Sequence, residues 1–194
     1  MAFDVRPLTT DRFEDFADVV NPNRRATHCW CLSHRLPARR IEELGDGDRE
    51  RAMRCLVAGD VPPGVIGYAD GEPVGWCSIA PRSEIPKLEA SRLIRPVDEV
   101  AVWSIICVVI RGGHRKRGHT LPLLEGAVAY AASRGAPAVE AHPVEPTGRM
   151  DTTMAFVGTR AMFAAAGFEV VGTTDAVASR LPRLVMRRTM GPTR

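Results

Sequence analysis

The sequence Arg115-Lys116-Arg117-Gly118-His119-Thr120 is the part of the chain whose residue types and spacing most clearly predict chemistry. Three consecutive cationic side chains supply positive charge, and Gly118 lets the backbone approach a ligand closely. An apolar run precedes this motif and a helix-like segment follows it. The first turn of a helix has unpaired backbone N–H groups and the positive end of the helix dipole, so it attracts anions. The motif therefore predicts a site for a phosphate-like anion.

Two predicted elements position this motif. The run from Val100 to Ile110, VAVWSIICVVI, is rich in β-branched residues and contains no Pro or Gly. That composition is typical of a strand buried on both faces. After the motif, Leu121, Leu124 and Val128 recur near helical spacing, and Gly135 lies where such a helix should end. The pattern predicts a strand, a short basic loop and a helix.

The glycine spacing distinguishes between kinds of phosphate-binding loop. A P-loop needs G-x-x-x-x-G-K-[ST] and a dinucleotide site needs G-x-G-x-x-G, and this segment has neither pattern. The motif resembles R/Q-x-x-G-x-G/A, the pyrophosphate-binding signature of the GNAT superfamily of N-acetyltransferases. Arg115 matches its first position and Gly118 its central glycine, whereas Thr120 replaces the usual Gly or Ala.

A second motif extends the resemblance. The segment FAAAGF, residues 163–168, resembles the family pattern Tyr-x-x-x-Gly-Phe except that Phe163 replaces the tyrosine. We predict the helix that carries it over Met154 to Ala166, after a fifth strand over 137–142. The resemblance covers roughly residues 60–190 in element order. It implies a GNAT-like α/β sandwich: a central mixed, mostly antiparallel sheet with splayed fourth and fifth strands, flanked by helices.

Length and composition agree with one α/β core. A chain of 194 residues is short for two domains, and its 45% apolar content excludes a disordered chain. We therefore predict a single domain over residues 1–194. By the resemblance, residues 21–60 form a variable acceptor-side segment and residues 100–135 form the acyl-CoA-binding core.

Charge, hydropathy and cysteine usage exclude several other classes. The net charge of +3 is small and mixed in sign, and aromatic residues are not interleaved with the basic ones, so we predict no nucleic-acid partner. No apolar run reaches the roughly 18 residues that a membrane helix needs. Five cysteines, an odd number, without a secretion signal predict reduced thiols in a cytoplasmic protein.

The resemblance implies that the co-substrate is acetyl-CoA. The motif from Arg115 to Thr120 would hold its pyrophosphate, and the backbone of Val108, Val109 and Ile110 would bind the pantetheine amides. Phe163 would lie against the cofactor. The other substrate would be an amine acceptor, either a small molecule or a protein lysine, and we expect a monomer or a homodimer.

The reaction also needs a base, because an amine such as that of lysine has a pKa of about 10.4. Many members of the family place a glutamate on the fourth strand, and the matching position here is Ser104, which is a poor base. Glu140 and His142 alternate onto one face of the predicted fifth strand, and a histidine titrates near neutrality. We predict these three as candidate catalytic residues, with a surface or hydrogen-bonded histidine as the alternative for His142.

Phe163 leaves two hypotheses open, because phenylalanine cannot protonate the departing thiolate as the family's tyrosine does. A simple thiol has a pKa of about 8.5, so its thiolate leaves with little assistance. We therefore predict an N-acyltransferase in which the amine attacks the thioester directly. The alternative is a catalytically silent acyl-CoA-binding or regulatory protein of the same fold.

The segment HCWCLSH, residues 28–34, lies between the first two predicted helices. Structural zinc sites usually use two separated pairs of ligands, and no second pair follows, so we predict no metal. By the resemblance, His28, Trp30, His34 and Arg35 would line the acceptor pocket, and the alternative is a solvated basic face. The alternative to a metal site is that the cysteines are small buried residues with Trp30 packed beside them. If this segment were a strand, Cys29 and Cys31 would share one face. Asp151, on a later loop, would either pair with the amine or cap the next helix.

Overall fold

Seven strands form one mixed sheet in this computed structural model, which describes residues 2–45, 47–146, 155–178 and 180–191. They run in the order β1-β2-β3-β4-β5-β7-β6, and β4 and β5 are the parallel pair among antiparallel neighbours. Their bounds are β1 Phe3–Pro7, β2 Gly64–Ala69, β3 Glu72–Pro81, β4 Trp103–Ile110, β5 Ala138–Ala141, β6 Glu169–Ala178 and β7 Leu181–Thr189. The predicted mixed, mostly antiparallel sheet is confirmed.

Helices cover both faces of this sheet. Their bounds are α1 Phe13–Val20, α2 Ala38–Glu43, α3 Asp48–Val57, α4 Pro86–Glu89, α5 Thr120–Ser133 and α6 Arg160–Ala165, and short 3-10 turns lie at Thr10–Arg12, Leu32–His34, Arg82–Glu84 and Ala155–Val157. In the described part of the chain, no helix has the length and apolar composition needed to cross a membrane.

Two large apolar clusters separate these helices from the sheet. On one face, α5 packs Leu123 and Leu124 against Ile79 and Ile105. It approaches β1 closely because residue 126 is glycine, where an added Cβ would lie 2.4 Å from the side chain of Val5. On the other face, helices α1 and α3 pack around Trp76 of β3. The sheet is therefore buried on both sides at its centre, as the apolar run of β4 predicts.

A β-bulge in β4 changes which side chains face which layer. Cys107 lies opposite Ser78 and Ile105 lies opposite Ile79, so Ile106 is one extra residue on β4. Before and after a bulge the alternation of side chains is out of phase. Ile105 and Val108 consequently pack in the α5 cluster, whereas Cys107 packs in the α1 cluster. The bulge turns Cys107 toward the face that carries the segment predicted to bind the acceptor.

The helix predicted over Met154 to Ala166 is shorter than expected. Met154 lies outside the described residues, and a 3-10 turn over Ala155–Val157 precedes a helix that begins only at Arg160. Gly158 between them has a φ of 76°, which ends the turn, and the Thr159 hydroxyl accepts a hydrogen bond from the Met162 amide at 3.3 Å. A capping threonine after a left-handed glycine thus sets the start of α6.

Residues 28–34 do not form a strand. Trp30 and Cys31 have φ values of 48° and 57°, in the left-handed region, and a 3-10 turn follows at Leu32–His34. Side chains therefore do not alternate as in a strand, and Trp30 and Cys31 are both buried. The expectation that Cys29 and Cys31 share one face of a strand is wrong for this reason.

Candidate functional site

Among the described residues, the C-terminal half of β4 has no strand partner on the side of β5, so this edge is free. Its pairing with β5 consists of three residue pairs and ends at Ile105 and Ala141, whereas its pairing with β3 continues to Ile110. Beyond β5 the chain turns to other partners, since Val144 bridges to Arg183 of β7. The fourth and fifth strands are therefore splayed, as predicted. Because buried backbone groups need partners, this edge is suited to an extended ligand that carries amide groups.

The loop between β4 and α5 presents positive charge beside this edge. Lys116 and Gly118 have φ values of 62° and 81°, and a Cβ added to Gly118 would meet nothing within 4 Å. The guanidinium Nε of Arg115 donates to the Ile110 carbonyl at 3.1 Å, which ties the loop to the end of the strand. The side chains of Arg115, Lys116 and Arg117 are exposed. The loop therefore offers open space and three cations at one place.

The first turn of α5 is not capped by the side chain of its own N-cap residue. His119 occupies that position, and its side chain makes no capping hydrogen bond. Its imidazole is buried and stacks on Phe3 with the ring centroids 5.5 Å apart, so only the backbone of His119 belongs to the loop surface. The unpaired N–H groups of this turn, with the dipole of a 14-residue helix, attract an anion.

A cavity of about 310 Å³ joins the free edge, the loop and α5. Six of the ten residues predicted to bind the cofactor line it. The lining residues are Val108, Val109, Ile110, Arg115, Lys116, Thr120, Phe156 and Met162.

A second cavity, of about 610 Å³, lies on the α1 side of β4 and shares Val109, Ile110, Arg115 and Phe156 with the first. Its walls come from α1, residues 28–34 and β4. Besides the shared four, the lining residues are Val19, Val20, Pro22, His28, Cys29, Cys31, Ser33, His34, Ile106, Cys107, Arg111 and Gly112. Its volume lies in the range of about 300–1,000 Å³ that small-molecule sites occupy. Two cavities that share four lining residues thus lie at the free edge of β4.

The residues predicted to bind the acceptor lie in three different settings. His28 lines the larger cavity. Trp30 is only 2% exposed and packs against Phe13, with ring centroids 5.8 Å apart, so its side chain belongs to the core. Arg35 is buried and donates to the Pro63 carbonyl at 2.7 Å, which gives it a structural role. Asp151 lies outside the described residues. The structure thus brings His28, but not Trp30 or Arg35, to the cavity.

The three candidate catalytic residues are buried side by side but do not line either cavity. Ser104 lies opposite Glu140 in the β4–β5 pairing, and among the described residues its hydroxyl has no hydrogen-bond partner. The Glu140 carboxylate accepts hydrogen bonds from the Arg187 guanidinium at 2.7 and 2.9 Å. An ion pair of this kind holds the carboxylate in place, and we interpret Glu140 as structural.

His142 is also removed from solvent, with 2% of its surface exposed. Burial, followed by the positive charges of Arg183 and Arg82, lowers the pKa of His142 to about 3. The imidazole is therefore neutral near pH 7 and a weak base. Its Nε2 has no hydrogen-bond partner among the described residues.

Phe163 is fully buried in the α5 cluster and packs edge-on against Phe168, with ring centroids 5.2 Å apart. Its neighbour Met162, rather than Phe163 itself, lines the smaller cavity. The predicted contact of Phe163 with the cofactor stays a prediction.

The sequence of residues 30–150 matches the model of the acetyltransferase (GNAT) family, and this match spans more than half of the chain. The chain belongs to the GNAT acetyltransferase family. Solved structures with the same fold include aminoglycoside acetyltransferase AAC(6′)-Ib in complex with paromomycin and acetyl-CoA. That chain is 14% identical with a TM-score of 0.57, and the match covers 97% of this chain and 94% of that one.

Two further structures match at similar levels. A GNAT family acetyltransferase from Bacillus cereus ATCC 10987 is 13% identical with a TM-score of 0.54, covering 97% of this chain and 98% of that one. The PaiA N-acetyltransferase from Thermoplasma acidophilum, in complex with coenzyme A, is 12% identical with a TM-score of 0.51, covering 98% and 100%. No curated protein matches the sequence significantly. At these identities the structural likeness establishes the GNAT fold.

Several cavity residues of this GNAT protein were not among the predicted site residues. Phe156 lines both cavities, and Cys107 lines the larger one. Cys107 faces the cavity because of the bulge at Ile106, which no local sequence signal marks. Phe156 lies in the 3-10 turn at Ala155–Val157, where the sequence predicted a continuous helix instead. His34, by contrast, was predicted from its position in the acceptor-side segment, and it lines the larger cavity.

The buried histidine predicts that the protein loses stability in mild acid. His142 binds a proton below about pH 6.5 when unfolded and only near pH 3 when folded, so the unfolded state binds more protons between these values. Stability therefore rises with pH there, and we expect the free energy of unfolding to fall by about 2 kcal/mol from pH 7 to pH 5 through His142. Urea unfolding at both pH values measures this loss. In the His142→Gln variant the loss of stability should shrink by about that amount. If the variant loses as much stability as the wild type, other groups cause the acid sensitivity.

Proposed function

We propose that this protein transfers an acetyl group from acetyl-CoA to a primary amine of a small molecule. The observation that carries this proposal is the meeting of the two cavities at the unpaired half of β4. The smaller cavity has the cationic loop and the first turn of α5 at one end, which suits a pyrophosphate. The larger cavity opens beside it with mostly apolar walls, which suits an acceptor.

Each part of acetyl-CoA has a partner in this arrangement. The pyrophosphate would bind the amides of residues 117–120 and the side chains of Arg115 and Lys116. The pantetheine amides would pair with the backbone of Val108 to Ile110 along the free edge of β4, as a strand would. The thioester would then lie where β4 leaves β5, beside the larger cavity. The acceptor nitrogen attacks from that cavity, the C–N bond forms, and the C–S bond to coenzyme A breaks.

His34 is the proton acceptor that the geometry favours. It lines the larger cavity, and burial followed by the charges of Arg183, Lys87 and Arg35 lowers its pKa to about 4, so it is neutral near pH 7. Its Nδ1 lies 3.2 Å from the Ser33 hydroxyl. A neutral imidazole of low basicity cannot deprotonate an ammonium group efficiently. We therefore propose that the amine binds uncharged and that His34 takes the proton that becomes acidic after the nitrogen has attacked. The three residues first predicted as catalytic would then have structural roles next to this site: Ser104, Glu140 and His142.

The thiolate of coenzyme A would leave without a side-chain acid. Phe163 has no hydroxyl, and its ring is fully buried. Backbone N–H groups at the free edge, or water, would stabilise the departing sulfur. The absence of a hydroxyl at this position also favours a second candidate function, an acyl-CoA-binding protein without transferase activity. Release of free thiol from acetyl-CoA, dependent on an added amine, separates the two: the binder would take up acetyl-CoA and release none.

The acceptor cavity favours an apolar amine with few positive charges. Among the described residues that line it, none is a carboxylate, whereas His28, His34, Arg111 and Arg115 are basic. A polycationic aminoglycoside needs carboxylates to offset the cost of removing its charges from water. We therefore propose that the natural acceptor is an apolar monoamine or an amine that also carries an anionic group.

A comparison of 2-phenylethylamine with paromomycin tests this acceptor class. We expect kcat/KM to be at least tenfold higher for the monoamine, as judged by free-thiol release with acetyl-CoA. Ser33 lines the cavity, so Ser33→Asp should shift the preference toward paromomycin, while the neutral Ser33→Asn variant should not. A wild-type preference for paromomycin would overturn the proposed acceptor class but not the proposed transferase activity.

A further inference from the structure

Two cysteines from distant parts of the chain meet in the larger cavity. The Sγ atoms of Cys31 and Cys107 lie 3.8 Å apart although the residues are separated by 76 positions in sequence. Both line the cavity beside Cys29, so three of the five cysteines of the chain surround one space. None of the catalytic steps proposed above uses these thiols.

The fold holds Cys31 in this position at some cost. Trp30 and Cys31 have consecutive left-handed backbone conformations, which are strained for residues other than glycine. The indole N–H of Trp76 donates to the Cys31 sulfur at 3.2 Å. Cys107 is directed to the same face by the bulge at Ile106. Strained backbone at a ligand cavity is a common mark of a functional site.

We propose that Cys31 and Cys107 form an oxidisable dithiol site. We further propose, on the basis of the proposed function, that their disulfide closes the acceptor cavity. The oxidant class is a peroxide. Hydrogen peroxide first converts the Cys107 thiol to a sulfenic acid and releases one water. The Cys31 thiol then attacks the Cys107 sulfur, which forms the S–S bond and releases a second water. Two thiols lose two hydrogen atoms in total, and the peroxide is reduced to two waters.

The accessibility of the two thiols sets this order. Both thiols line the cavity, but Cys107 is half-buried whereas Cys31 is buried. The sulfur contact with Cys107, together with burial, raises the pKa of the Cys31 thiol well above its ordinary value. Cys31 is therefore the resolving thiol rather than the first one oxidised.

Bond formation would change the shape of the cavity. The sulfurs must approach from 3.8 Å to about 2.05 Å. That movement draws the segment at residues 29–34 toward β4 and narrows the acceptor space between them. Arg115, Lys116 and the first turn of α5 are not part of this segment, so the phosphate end of the site stays open. Oxidation should block acceptor turnover more than coenzyme A binding.

Peptide mapping after treatment with hydrogen peroxide tests the site without relying on turnover. The folded protein is oxidised, alkylated and digested without reducing agent, and mass spectrometry should find the peptides of Cys31 and Cys107 linked. Coenzyme A affinity, measured by calorimetry, should change less than about threefold on oxidation, while amine-dependent thiol release should fall at least tenfold and return with dithiothreitol. Absence of the 31–107 disulfide in the folded, oxidised protein would overturn the proposal even if the protein has no transferase activity.

Matched variants separate this disulfide from general oxidative damage. Cys107→Ser should keep most of its own untreated activity after peroxide, and it leaves the hydrogen bond between Trp76 and Cys31 in place. Cys55→Ser is the control, because Cys55 is exposed and does not line the cavity, so this variant should be inactivated like the wild type. If Cys107→Ser loses as much activity as the wild type, or if Cys29 is the partner in the mapped disulfide, the assignment of the pair is wrong.

Discussion

Replacement of Gly118 with leucine is expected to weaken coenzyme A binding by at least about a hundredfold, or about 2.7 kcal/mol. Gly118 has a φ of 81°, a conformation that costs other residues about 1–2 kcal/mol. The space beside it is open, because an added Cβ meets nothing within 4 Å. A leucine side chain would occupy that space, where we propose that the pyrophosphate lies between the loop and the first turn of α5. Isothermal calorimetry with coenzyme A measures the change.

Gly71 provides a matched control for this substitution. It has a φ of 85°, an added Cβ there also meets nothing within 4 Å, and it lies in the turn between β2 and β3. Gly71→Leu should therefore carry a similar backbone cost and leave coenzyme A affinity unchanged. A folded Gly118→Leu protein that binds coenzyme A as tightly as the wild type would rule out this loop as the phosphate site.

The elements around the proposed coenzyme A site could be predicted from sequence because their signals are local. The β-branched run of β4, the glycine in the loop and the helical spacing of Leu124 and Val128 lie within 30 consecutive residues. Element order and the motif at Phe163 then led to the correct family and fold. Where a local signal competed with another, the prediction was less accurate: Gly158 and Thr159 shorten the helix that the apolar pattern had extended.

The acceptor side could not be predicted to the same depth because its geometry depends on distant contacts. Cys31 lies beside Cys107 only after the sheet has formed and a bulge has rotated β4 at Ile106. Trp30 is of a residue type that often contacts ligands, yet the aromatic side chains of α1 enclose it. Val139 and Ala141 of β5 pack together in the α5 cluster, as the predicted alternation implies, but only the tertiary structure gives Glu140 its cationic partner.

The ion pair between Glu140 and Arg187 predicts a second large effect, on stability rather than on turnover. Glu140 is 1% exposed, and its carboxylate faces the guanidinium of Arg187, which also binds Asp98. Removal of one member of a buried ion pair leaves the other charge poorly compensated in the interior. We expect Glu140→Ala to lower the free energy of unfolding by about 3 kcal/mol, at the low end of the usual cost because Asp98 remains. Urea unfolding near pH 7 measures the loss.

Three further variants distinguish this structural role from the catalytic role first predicted for Glu140. Asp98→Ala removes the exposed carboxylate from the same guanidinium and should destabilise the protein less. The double variant Glu140→Leu/Arg187→Met removes both charges and should recover most of the lost stability, since apolar residues often replace a buried pair without loss. Glu140→Gln keeps the shape of the side chain, and its kcat per folded molecule and its pH–rate profile should match the wild type. If Glu140→Gln is stable but loses more than about a hundredfold in kcat together with the rise in rate with pH, Glu140 is the general base, and His34 is not the proton acceptor.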